Sequence, residues 1–201
     1  DNLKLAIQGE ADFSQKPYRY DFNTNIDFVN FNALNLYTKD KISLFKGAID
    51  INLVGSSIDA LTGSVAFNNT TYTNQTGIYF FKNFKIASSI ENQIKTIEIN
   101  SPDIVSGKLM GNFKLLELPD LFKNGLGSIL SKYQFKKTSD NQTVSYNFKI
   151  YNKALEIFYP DFKLATNTII RGNLASIDTS FTLIFKTPQL PCQIYEKSSN
   201  L

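Results

Sequence analysis

The sequence predicts an all-β fold, mostly antiparallel strands with one short helix near 119–132, and three observations carry that expectation. Apolar residues recur at every second position in several segments, as half-buried strands require. Clusters of Asn, Asp, Ser, Thr and Gly separate those segments and suit tight turns. Only one stretch has the three-to-four spacing of a helix, whereas parallel βαβ units need such a stretch between successive strands.

Along the chain, SQKP at 14–17 gives the first turn signal. Ile49, Ile51 and Leu53 then alternate with Asp50 and Asn52, and Leu61, Val65 and Phe67 alternate with Thr62, Ser64 and Ala66. A second turn cluster, FNNTTYTNQTG, is expected to interrupt the strands at 67–77. In GKLMGNFKL, Leu109, Phe113 and Leu115 share one side with Gly111, opposite Lys108, Met110, Asn112 and Lys114. LPDLFKNGLGSILSKYQ at 118–134 is the helical segment: Pro119 and Asp120 start it, and Leu121, Phe122, Leu126, Ile129, Leu130 and Tyr133 form its apolar stripe. Gly125 and Gly127 each weaken it by roughly 1 kcal/mol relative to Ala. TSDNQT at 138–143 marks a third turn, after which Val144, Tyr146, Phe148 and Ile150 alternate with Ser145, Asn147 and Lys149. Phe181, Leu183 and Phe185 form the last alternating segment. A loose pattern of apolar residue, Gly and aliphatic residue at alternate positions surrounds Gly47, Gly63, Gly107 and Gly172, where bulges or bends are expected rather than ligand contacts.

Composition limits the chemistry. The 201 residues, 42% of them hydrophobic, fit a single β-rich domain over 1–186 followed by a tail, 187–201. A formal charge of +3, with lysines and acids interspersed, does not suggest a surface that tracks nucleic-acid phosphates. There is no His, so neither a Ser-His-Asp nor a Cys-His site can be built. Cys192 stands alone, which removes an intrachain disulfide and, with His absent, the usual zinc sets. Asp103, Asp120 and Asp161 each adjoin a Pro and read as turn or cap residues. Asn68, Asn69, Asn74 and Asn141 lie in N-x-T tripeptides, which matter only in a chain secreted by a eukaryote. The expectation is a non-enzymatic protein with no cofactor and no metal. The chain opens on Asp1 with neither a basic start nor an apolar run, and is expected to be a segment whose anchor or targeting sequence lies outside it.

The segment LTGSVAFNNTTYTNQTGIYFFKNFKIASSIENQIKTIEINSPDIVSGKLMGNFKLLELPDLFKNGLGSI, 61–129, resembles the TamB family of Gram-negative bacteria, within the AsmA-like group. The shared order is an apolar-T-G-x-V-x-F strand, an aromatic strand, and then Ser101, Pro102, Asp103, Ile104 and Gly107 in an S-P-D-I-x-x-G pattern. FKIYNKALEIFYPDFKLATNTIIRGNL, 148–174, resembles the continuation of the same proteins, whereas the tail carries no such feature. The resemblance implies an elongated, curled antiparallel sheet, β-taco-like, whose apolar face lines an open groove. It implies a periplasmic segment of an inner-membrane-anchored protein that carries phospholipid acyl chains toward the outer membrane. Assistance to outer-membrane protein assembly beside a TamA-like barrel is implied as well. On that reading the lining comprises the alternating apolar residues above other than Phe185, together with Ile97, Ile99, Leu155, Ile157 and Leu174.

One apolar face per strand fits a closed β-sandwich equally well, with both inner faces packed and nothing bound. Such a module would recruit a protein partner by pairing along a strand edge. Periodicity alone favours the closed core, and only the resemblance reverses that preference toward the groove.

Overall fold

Residues 2–128, 133–151, 165–177, 180–188 and 190–197 are described by the structure, a computed structural model. Eleven strands form one sheet in strict chain order. They are Leu3–Asp12 (β1), Tyr18–Asn30 (β2), Ser43–Gly55 (β3), Thr62–Asn74 (β4), Gly77–Glu91 (β5), Ile94–Ser101 (β6), Val105–Asn112 (β7), Thr143–Ile150 (β8), Thr168–Ala175 (β9), Phe181–Thr187 (β10) and Leu190–Lys197 (β11). Every pairing is antiparallel and joins neighbours in sequence. β1 and β11 form the two open edges, so the sheet is neither a closed barrel nor one half of a two-sheet sandwich among the described residues. Leu155 and Ile157 lie outside those residues.

Register, rather than strand identity, creates the face that matters. Gly9, Phe22, Ile51, Val65, Ile86, Ile99, Gly107, Phe148, Ile170 and Phe185 are successive cross-strand partners from β1 to β10. A parallel row runs through Leu53, Gly63, Ser88, Ile97, Leu109, Tyr146, Gly172 and Leu183. Because side chains alternate between faces, these rows place the apolar side of every strand on one surface.

The glycines fall on that same surface and serve two ends. Gly47 sits where the β3–β4 register shifts between Lys46 and Ala48, the bulge the sequence suggested. Gly63, Gly107 and Gly172 instead stay in register, and each takes a close approach from the adjoining strand. A Cβ at Gly107 would lie 2.4 Å from a Phe148 ring carbon, so the ring covers the bare backbone. At Gly63 the backbone has φ +113°, a region that side-chain-bearing residues rarely enter, and a Cβ would meet the Asn52 carbonyl oxygen at 2.1 Å.

Two sequence expectations shift in detail. The Asn- and Thr-rich stretch at 67–77 is mostly strand: β4 runs through it to Asn74, absorbing an irregularity at Asn69 (φ 47°), and only Gln75 and Thr76 form the turn. Asn tolerates the left-handed backbone at position 69, so the composition that resembles a loop permits a bulge within a ladder. The helix is Leu118–Gly127 (α1), following a 3-10 turn at Leu115–Glu117, and residues 129–132 lie outside the described chain. Pro119 occupies its first turn, where no intrahelical N–H bond is lost. Gly125 weakens the isolated helix, yet it lets the helix settle on the sheet: a Cβ there would lie 2.6 Å from Phe181 Cδ2 and 3.0 Å from Leu174 Cδ1.

The core lies under that helix. Leu118 and Leu121 pack with Phe113 on Ile97, Val144, Tyr146, Leu174 and Phe181, while Leu109, Leu115, Phe122 and Leu183 close around them. Tyr146 sends its hydroxyl to the Thr182 carbonyl at 2.8 Å, and burial pushes its pKa up to about 12. This helix end of the sheet is therefore filled.

Candidate functional site, an apolar groove

The opposite end is not filled. There the sheet surrounds a cavity of about 860 Å³, lined from β2 by Ile26, from β3 by Phe45 and Ile49, and from β4 by Phe67 and Tyr72. Phe81 and Phe84 of β5, Ile99 of β6, Val105 of β7, Phe148 and Ile150 of β8 and Ile170 of β9 continue the wall, which also includes Ser43, Thr70 and Ile104. In a flat sheet β2 and β9 would stand about 33 Å apart, at ~4.8 Å per strand step. Residues of both line one cavity, so the sheet curls toward its apolar face.

The expected groove residues divide between these two ends. Ile49, Phe67, Ile99, Phe148 and Ile150 line the cavity. Ile97, Phe113, Val144, Tyr146, Leu174 and Phe181 are buried beneath α1, with Leu109, Leu115 and Leu183 packed against them. Ile51, Leu53 and Val65 lie on the same face between the two, half-buried. Leu61 is half-buried just before β4 and is not part of its alternation. A single face read from sequence thus becomes a packed core at one end and an accessible cavity at the other.

Three wall residues come from a loop, 31–42, that the sequence left unassigned. Phe31, Leu36 and Tyr37 reach the cavity from it. Asp40 ties the loop down, accepting hydrogen bonds from Tyr72 Oη at 2.6 Å, Gln75 Nε2 at 3.0 Å and Asn74 Nδ2 at 3.3 Å. Burial acts to raise the Asp40 pKa, but these donors outweigh it and hold the carboxyl below its ordinary value. Tyr72 is pushed up to about 12, by burial first and by Asp40 second. Ser43 Oγ and Tyr72 Oη lie 3.0 Å apart, so the polar atoms at the cavity margin satisfy one another.

At the helix end, a lysine shares the apolar face. Lys95 has the parity of Ile97 and Ile99 on β6 and is only 7% exposed. Its Nζ lies 3.2 Å from Asp59 Oδ1, donates to the Phe113 carbonyl at 3.2 Å, and sits 5.2 Å from the Phe113 ring centroid. Asp59 also accepts the Leu115 N–H at 2.7 Å, which pins the start of the helical segment to the 58–60 turn. Its inward parity was the signal in the sequence; its partner, distant in sequence, was not.

Among the described residues no cluster of three or more His, Cys, Asp or Glu is gathered that could hold a metal ion, and no helix is long and apolar enough to cross a membrane. What the site offers is a curved apolar wall with Ser43 and Tyr72 bonded to each other at its margin. No protein-family model, curated protein or solved structure matches the chain.

Proposed function

We propose that the curled sheet is a carrier of lipid acyl chains, with the cavity between β2 and β9 as the place where a chain lodges. One observation carries this reading: a cavity of about 860 Å³, within the roughly 300–1,000 Å³ of small-molecule sites, whose wall is nearly all Leu, Ile, Val, Phe and Tyr. Moving an acyl chain through water costs about 0.8 kcal/mol per methylene, near 12 kcal/mol for roughly fifteen methylenes, whereas an apolar wall removes most of that penalty. No catalytic group is required. In keeping with the TamB resemblance, the chain would work in the periplasm of a Gram-negative bacterium as part of an inner-membrane-anchored protein. Phospholipid would pass toward the outer membrane, with a TamA-like barrel as a partner.

Mass spectrometry of gently purified protein tests the reading, with phospholipid or fatty acid expected in near-stoichiometric amount. Phe67→Lys places an ammonium on the cavity wall and should abolish that lipid while the sheet stays folded, since the lysine stem can lead its charge toward the opening. Lipid-free wild-type protein, or undiminished lipid in the variant, would count against the carrier.

The second reading is a module that recruits a protein by strand pairing. It is favoured by β1, which bonds only to β2 and is exposed on both faces along its whole length. Protection of β1 amides upon binding of a partner peptide, with the cavity unoccupied, would support it.

A further inference from the structure

The loop end of the sheet carries apolar side chains that the cavity does not use. Leu36 belongs to both surfaces: it lines the cavity and is 69% exposed, so it marks the cavity's mouth. Lys39 and Lys41, in the same loop, are exposed, while Asp40 between them is turned inward to Tyr72, Asn74 and Gln75. The Lys41 and Ile42 amides donate to Gln75 Oε1 at 3.1 and 3.5 Å, which holds the loop beside the β4–β5 turn. Just past that turn, Ile78 and Phe80 are 74% and 60% exposed, on the parity opposite to Phe81. Lys82 follows, also exposed. Within 31–42 and 70–83 the sole carboxylate is Asp40, against Lys39, Lys41 and Lys82.

Large exposed apolar side chains next to lysines, with no exposed acid within those two segments, match the two zones of a bilayer interface, its acyl boundary and its anionic headgroups. We propose that this end of the protein docks on an anionic bilayer surface. Leu36, Ile42, Ile78 and Phe80 enter the acyl boundary and the three lysines meet lipid phosphates. Docking in this pose sets the cavity mouth against the membrane, so an acyl chain enters past Leu36 without crossing water. The proposal rests on the acyl-carrier reading for its purpose, but its physical claim is separate.

Flotation with vesicles tests it. The wild-type chain should float with vesicles of phosphatidylglycerol and phosphatidylcholine, and much less with phosphatidylcholine alone. Lys39→Glu with Lys41→Glu should weaken binding to the anionic vesicles by at least roughly 25-fold, at ~5-fold per lysine. Ile78→Ser with Phe80→Ser should abolish flotation with unchanged circular dichroism. Leu116→Ser, which removes an equally exposed residue at the helix end, should change nothing. Wild-type protein that stays unbound, equal binding to both vesicle types, or variants that float like wild type would overturn the docking proposal. Uptake of a monomeric fluorescent fatty acid, measured without vesicles, separates the two ideas. Uptake without flotation overturns docking alone, whereas flotation without uptake supports docking and overturns the carrier.

Discussion

Lys95 shows how a single residue departs from the pattern that otherwise organises the chain. Its position in β6 was legible as inward from parity, but its charge is tolerable there only because Asp59 and the Phe113 carbonyl receive it. Asp59→Asn removes the counter-charge and leaves the buried ammonium under-compensated, so it should destabilise the protein by about 2 kcal/mol in urea titration. Lys95→Met, of similar volume and apolar, should cost less, because the partly exposed Asp59 keeps access to water and to the Leu115 amide. Glu117 gives the pH response. The Ser139 amide and hydroxyl donate to it at 2.6 and 2.8 Å, and with Gln142 they lower its pKa from 4.5 to about 2. A depressed folded-state pKa contributes stability that is present above the unfolded value and lost as pH falls toward the folded one. Melting temperature should therefore hold steady from pH 7 to about 5 and fall between about 4.5 and 2. In Glu117→Gln the fall across that window should be shallower.

At the scale of elements, strands were legible and connections were not. Period-two alternation identified the apolar faces of β3, β7, β8 and β10, because alternation follows directly from pleat geometry. The 67–77 stretch misled because Asn and Thr suit both loops and bulges, and only pairing with β3 and β5 decides between them. Loop 31–42 was not legible as part of the site, since Phe31, Leu36 and Tyr37 face the cavity through an anchor at Asp40 whose partners lie more than thirty positions on. The division of one face into core and cavity was likewise hidden, because it depends on where α1 lies. Helix placement yields a sharp contrast. Phe113→Lys would bury an unpaired charge under α1 and should unfold the domain, whereas Phe67→Lys should leave the circular dichroism and the urea midpoint near wild type. Comparable loss of structure in both would mean that the loop end is as tightly packed as the helix end.

Across the whole molecule, protection should be uneven. Native-state hydrogen exchange should be slowest in β7 and β8, which carry the core beneath α1, and fastest in β1, exposed on both faces. A β1 as protected as β8 would point to a covered edge. The all-β class and the single helix were readable from composition and period, whereas the curl appears only once residues of β2 and β9 are found lining one cavity. The strict chain order of the strands has a kinetic consequence. Each pairing joins strands adjacent in the chain, the longest connection being the α1-bearing stretch 113–142 between β7 and β8: as each strand after the first leaves the ribosome, its earlier partner has already emerged. Small loop-closure entropies accompany such hairpin-by-hairpin growth, so the sheet can zip from its first strand onward and fold faster than Greek-key proteins of similar size.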